Sequence, residues 1–299
     1  MTLQQLKYVV TVAECGNITE AAKQLFVSQP TVTSAIHDLE KEMQIVIFIR
    51  TNKGVILSED GERFLGHARQ VLEQVDLIEG IYKDDVVSKP HFAVSCQHYS
   101  FAVNAFVDVI REFDAYQYDF TIREEQTHEI IEDVTNLKSE LGVIYLSSKN
   151  TEVLSKMLKR NELEFTELFT ATPHVFICDS HPLASKNSIT MDDLQDYPYL
   201  TYEQGEYNSQ YFSEEFVSTL DSRKNIRVRD RATLFNLIIG LNGYAVCSGV
   251  ISAELNGRNI ISKPLDVEEY MRIGIISRKG VVLSRYAREY IEALKAHCM

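Results

Sequence analysis

Four apolar residues, Val32, Ile36, Leu39 and Met43, are spaced 4, 3 and 4 apart directly after a Ser-Gln-Pro at 28–30. That spacing predicts one buried face of an α-helix. Ser28 is placed to cap it, and Pro30 falls in its first turn, where a missing N–H costs nothing. The remaining surface is less usual. Gln29, Thr31, Thr33, Ser34 and His37 give it uncharged hydrogen-bonding groups, which lower helix propensity. Such a face calls for a purpose.

The neighbouring elements supply one. Leu3, Leu6, Val9, Val10 and Ala13 recur at helical spacing, and Gly16-Asn17 closes that segment. "TEAAKQLF" reads as a short second helix with Thr19 as its cap and Ala21-Ala22 where another helix can approach closely. Beyond the third helix, "VIFIR" and "GVIL" flank Thr51-Asn52-Lys53-Gly54, which predicts a hairpin with a basic tip. The order is that of an all-α winged helix-turn-helix over residues 1–58. In this motif the second helix of the pair lies in the major groove, with its N-terminal residues at base edges. Ser28, Gln29, Pro30, Thr31, Thr33, Ser34 and His37 are the candidate DNA-binding residues of the helix. Arg50, Asn52 and Lys53 join them on the wing, where the two cations neutralise phosphates. A solvent-exposed helix start with no partner would carry the same pattern. Charge indicates only where nucleic acid could be met: the chain holds 30 Lys+Arg against 43 Asp+Glu, a net −13. Residues 1–58 are balanced, with Lys7, Lys23, Lys41, Arg50 and Lys53 against Glu14, Glu20, Asp38, Glu40 and Glu42. A polyanion is repelled by the rest of the chain, not by this end.

Residues 59–88 form a linker. Ser58 is positioned to cap a long helix, and Glu59-Asp60 suit its positive end. Phe64, Ala68, Val71, Val75, Ile78 and Tyr82 are spaced as an a/d seam, broadened by Leu65 and Leu72. A second copy of the helix is the simplest partner, so these six are the expected dimerisation residues. A helix packed on its own globular domain is the other reading.

The ordered set Ala21-Ala22, Ser28-Gln29-Pro30, Thr33, Ile36 and Leu39-Glu40 resembles the N-terminal region of LysR-type transcriptional regulators. The likeness spans about sixty residues in the correct element order, far more specific than a bare helix-turn-helix. One departure is Ser58-Glu59-Asp60, where the family often has Thr and Ala.

From residue 89 onward, short apolar runs alternate with helical patterns: "FAVSC", "FTIRE", "LGVIYL", "HVFIC", "YAVCS" and "RIGIIS" among the former. That alternation predicts α/β subdomains with mostly parallel sheets, and 89–299 is too long for one usual sheet. The resemblance implies a two-lobed, periplasmic-binding-protein-like effector domain. Lobe I would be 90–162 with 267–299 and lobe II 163–266, with crossovers near 163–169 and 261–267. It also implies a small-molecule effector in the cleft between lobes, switching DNA binding or oligomer geometry. The loop after the first strand, Ser95 to Ser100, opens a helix whose free N–H groups attract anions. By resemblance, Ser95, Cys96, Gln97, Tyr99, Ser100, Gln126, Thr127, Thr201, Tyr202, Cys247 and Ser248 line the cleft. Each of these residue types also serves as a cap or turn hydrogen-bonder. Gly142, where many relatives carry Asp, and "GLNGYAVCSG", which lacks a common Pro, make a relative's effector unsafe to carry over. The implied partners are double-stranded DNA, the effector, RNA polymerase and a further copy or copies, as homodimer or homotetramer.

Other classes find little. There is no Gly-rich phosphate loop, GxSxG, HExxH or CxxC, so neither catalysis nor a cofactor is expected. Five scattered cysteines fit reduced thiols in a cytoplasmic protein, with no metal-ligand spacing. A thiol redox sensor using Cys96 and Cys247 is the alternative regulatory reading. No apolar stretch reaches the ~20 residues that span a bilayer, and "MTLQQLKYVV" lacks a leader pattern.

Overall fold

The computed structural model describes residues 1–52, 54–82, 90–113, 117–205, 211–215, 223–251 and 257–298. They fall into two compact units: Met1–Pro90 with Asn136–Lys138, and the remainder.

In the first unit, α1 (Leu3–Cys15) starts at a Thr2–Gln5 capping box and ends at Gly16 in the left-handed region. The second helix, α2 (Ile18–Gln24), is capped by Asn17, not by Thr19 as expected. The Asn17 side chain reaches the N–H groups of Thr19 and Glu20 at 2.8 and 3.2 Å. Asn accepts well at this position and leaves Thr19 inside the helix. Ser28 caps α3 (Gln29–Met43) by accepting from the Thr31 N–H. Val9, Val12, Ala21, Val32, Ile36 and Leu39 close a common core. Burial of each larger aliphatic side chain there contributes about 1.5–3 kcal/mol.

The wing is β1 (Phe48–Thr51) paired antiparallel with β2 (Gly54–Leu57). The Val55 N–H donates to the Gly16 carbonyl at 2.9 Å. A Cβ on Gly54, whose φ is +141°, would stand 2.3 Å from that oxygen. Only glycine lets the wing seat on the end of α1.

Ser58 accepts the Gly61 N–H at 2.9 Å and so caps α4 (Glu59–Tyr82), which packs on α1. Leu65 and Ala68 are buried, Phe64 and Val75 half-buried, and Val71 and Ile78 exposed. The side chain of Tyr82 lies outside the described residues, as does Lys53.

Among the described residues the second unit holds three sheets. The first has the order β4 (Asp119–Glu124), β3 (His91–Cys96), β5 (Leu141–Leu146), β12 (Met271–Arg278), β6 (Leu163–Ala171). Helices α5 (Ser100–Glu112) and the C-terminal α9 (Arg285–Cys298) pack together over a core with Phe92, Phe106 and Tyr290. A separate cluster, with Ile130, Ile131, Leu154 and Ile276, holds α6 (Thr127–Thr135) and α7 (Thr151–Arg160) on the sheet. Gly142 in β5 sits where a Cβ would come within 2.7 Å of both Ile130 and Ile276, so no Asp side chain fits there.

The second sheet joins β10 (Ala245–Cys247), β7 (His174–Cys178) and β11 (Ile260–Pro264). Beside it run the parallel strands β8 (Tyr199–Tyr202) and β9 (Asn225–Val228), linked to it through the Leu200 N–H and the Tyr244 carbonyl. Helix α8 (Arg231–Leu241) covers this sheet through Leu234 and Ile238.

The expectation of mostly parallel sheets is corrected. β12 runs antiparallel to both β5 and β6, and β7 antiparallel to β10 and β11. β6 pairs with β12 along its whole length, so the chain leaves the first sheet after Ala171 rather than at 163.

Candidate functional site

On α3, Val32, Ile36 and Leu39 are buried, while Ser28, Gln29, Pro30, Thr31, Ser34 and His37 are exposed. Thr33 is half-buried, its hydroxyl held by the Gln29 amide at 2.7 Å. Ser28 and Thr31 hydroxyls lie 2.7 Å apart. Arg50 and Asn52 are exposed on the wing. The sequence reading passed over Phe26. It adopts φ +55° in the turn between α2 and α3 and is 95% exposed. Both properties are unusual for a bulky apolar residue.

In the second unit a small cavity of about 30 Å³ is lined from the first sheet, the second and β8, room for little more than a water molecule or two. Of the residues that the resemblance assigns to an effector cleft, Tyr99, Ser100, Tyr202, Cys247 and Ser248 line this cavity. So do His98, which belongs to the loop Ser95 to Ser100 already noted, and Glu214, Glu215, Arg231 and an apolar wall including Phe176 and Phe235, which had not been singled out. His98 is central. Its ring stacks on Tyr202 at 3.9 Å and 6°. Nδ1 lies 2.8 Å from a Glu214 carboxylate oxygen, and Nε2 lies 3.0 Å from the Arg229 carbonyl. With acceptors at both ring nitrogens, the imidazolium satisfies the pair. Burial alone would lower the His98 pKa. The charge and hydrogen bond of Glu214 outweigh burial and raise it.

The Glu214 carboxylate also accepts the His98 backbone N–H at 3.0 Å and the Gln204 amide at 3.1 Å. Beside it, burial and the charge of Glu214 push Glu215 up to about 8, although the Tyr202 N–H and the Ser213 hydroxyl bond to its carboxyl. Asp230 caps α8 by accepting from the Thr233 N–H, which sets Arg231 at the helix start, 3.0 Å from Glu124.

Other expected residues serve the frame instead. The Ser95 hydroxyl bonds Asp133 at 2.7 Å and stands 2.8 Å from that of Ser139, away from the cavity. Gln97 accepts from the Tyr145 N–H and the Tyr99 hydroxyl and donates to Thr127 at 2.6 Å. Thr127 then bonds the Phe212 carbonyl and, through its N–H, Gln204. These buried groups brace the cavity from behind. Thr201 is half-buried on β8 and does not line the cavity, and Cys96 is buried in the core. Gln126 lines a second, open cavity of about 550 Å³ with Glu124, Glu125, Glu129, Glu203 and Arg229.

Burial drives the thiols of Cys96 and Cys247 well up, the opposite of what activates a thiol. Among the described residues no cluster of His, Cys, Asp and Glu could hold a metal, and no helix is long and apolar enough to cross a membrane.

Two family descriptions match. "Bacterial regulatory helix-turn-helix protein, lysR family" covers residues 3–62, and "LysR substrate binding domain" covers 95–299. An uncharacterized transcriptional regulator of Bacillus subtilis, YvbU, is 25% identical over 305 residues, covering 99% of this chain and 98% of the relative. A full-length OxyR variant from Pseudomonas aeruginosa superposes with TM-score 0.64 at 21% identity, covering 99% of this chain and 98% of that one. CbnR, a LysR family regulator, gives 0.56 at 18% with both chains fully covered. At these identities the structural likeness is one of fold.

Proposed function

The chain belongs to the LysR family of DNA-binding transcriptional regulators, and from that premise we propose how its residues divide the work. Helix α3 lies in the major groove, where Gln29, Thr31, Ser34 and His37 meet base edges. Arg50 and Lys53 neutralise phosphates on the flanking strand. The seam of α4 pairs with a second copy, and a small-molecule effector held between the sheets of the second unit biases how the paired copies sit on DNA. Bending of that DNA sets access for RNA polymerase. An effector acts only through differential affinity for two states; moving a 1:99 population to 99:1 takes ~5.5 kcal/mol.

The observation that supports the DNA reading best is the division of α3. Its apolar face is fully used in the core, and its polar face is left open to solvent. A mobility-shift titration tests it. Arg50→Ala with Lys53→Ala is expected to weaken binding to all sequences and reduce the log–log salt slope by ~1.8, about 0.9 for each phosphate contact. Adding Gln29→Ala is expected to cost a further ~1–3 kcal/mol on the specific site only. Unchanged affinity in the triple variant would exclude the assignment.

A further inference from the structure

The small cavity is nearly full, and the chain itself fills it. Glu214 and its partner His98 are 5% and 4% exposed, a buried ion pair joining residues 116 apart in sequence. Three donors converge on the Glu214 carboxylate: the His98 N–H, the His98 ring and the Gln204 amide. All three belong to residues outside 211–215. A buried pair of this kind is a poor source of stability, because desolvation offsets much of its attraction. Withdrawing the carboxylate without replacement would strand a buried cation and two buried donors. The seat therefore demands an anion, whoever supplies it. Around it stand Phe176, Leu234, Phe235 and Met271, an apolar wall with no donor to offer.

We propose that Glu214 is an internal occupant of the effector seat, and that the ligand of this site is a carboxylic acid with an apolar body whose carboxylate replaces that of Glu214 on His98. The inference rests on reading this cavity as the effector site. It adds the ligand's chemical class and a built-in competitor. Acid binding expels Glu214 and thereby loosens residues 211–215 from His98, Thr127 and Tyr202, the contacts that tie them to the loop after β3, to α6 and to β8. Intramolecular competition lowers the apparent affinity of any such acid by the fraction of time the seat is empty.

The test uses the full chain and three probes of one shape: 3-phenylpropionate, 3-phenylpropylamine and 3-phenylpropanol. Calorimetric titration is expected to show the acid binding Glu214→Ala at least ~10-fold more tightly than the wild type, and raising the melting temperature of that variant. Glu214→Gln, which keeps the shape and removes the charge, is expected to gain affinity in the same direction and serves if the alanine variant fails to fold. In the wild type, saturating acid is expected to speed amide exchange in residues 211–215. Equal affinity in wild type and variants, unchanged exchange, or an amine that binds as well as the acid would overturn the proposal. Mobility shifts on the same proteins separate this from the regulator reading: wild-type DNA binding with no acid response sinks only the ligand inference.

Discussion

Phe26 carries a conformational cost with no packing return. A left-handed backbone costs a bulky L-residue roughly 1–2 kcal/mol, and at 95% exposure its ring recovers nothing from the core. Phe26→Gly is therefore expected to stabilise the chain by ~1 kcal/mol, less the extra chain entropy of glycine, read as a rise in the thermal midpoint. A fall would show that the ring packs in solution. Glu215 sets a pH dependence. Its folded pKa near 8 lies above the ordinary 4.5, so between those values the folded chain holds a proton that the unfolded chain has released. Stability is then full below about 4.5 and declines as pH rises toward 8. His98, also raised, acts in the same direction from about 6.5 upward. Glu215→Gln is expected to flatten the decline between 4.5 and 6.5 in melts at fixed ionic strength; an unchanged slope would assign the titration elsewhere.

At the scale of elements, α4 changes character along its length. Its first turns join the core of the first unit through Leu65, and farther along Val71 and Ile78 stand exposed at 40% and 58%. With Leu65 and Ala68 already buried, the apolar side chains left for a second copy begin at Val71. Val71→Glu with Ile78→Glu is expected to turn an associated species into a monomer in light scattering while leaving the melt nearly unchanged. A monomeric wild type would contradict the seam. Local chemistry made much of this legible: Ser28, Pro30 and the apolar spacing that follows define α3 at its true start. The cap of α2 was misplaced because Asn17 and Thr19 both suit the position, and only the backbone decides between them. β6 could not be assigned to a sheet in advance, since its pairing with β12 joins residues a hundred or more apart. The pairing of His98 was hidden for the same reason. Alone it reads as a loop histidine, and it gains meaning only when Glu214, an ordinary surface-type residue in sequence, is folded against it.

For the molecule as a whole, an acidic chain is expected to meet a polyanion only through its neutral N-terminal segment. The charge is balanced there and excessive elsewhere, so association slows if that segment is altered and not if the acidic surface is trimmed. Two copies joined through α4 would present two α3 helices, and a dimeric helix-turn-helix reads half-sites separated by one helical turn or a multiple, ~10 bp each. Hydroxyl-radical footprinting on a selected binding site, wild type beside Gln29→Ala, tests this most directly. The expected result is two protected stretches a whole number of turns apart, both lost together in the variant. A single stretch of protection, or a pair untouched by the loss of Gln29, would contradict the account.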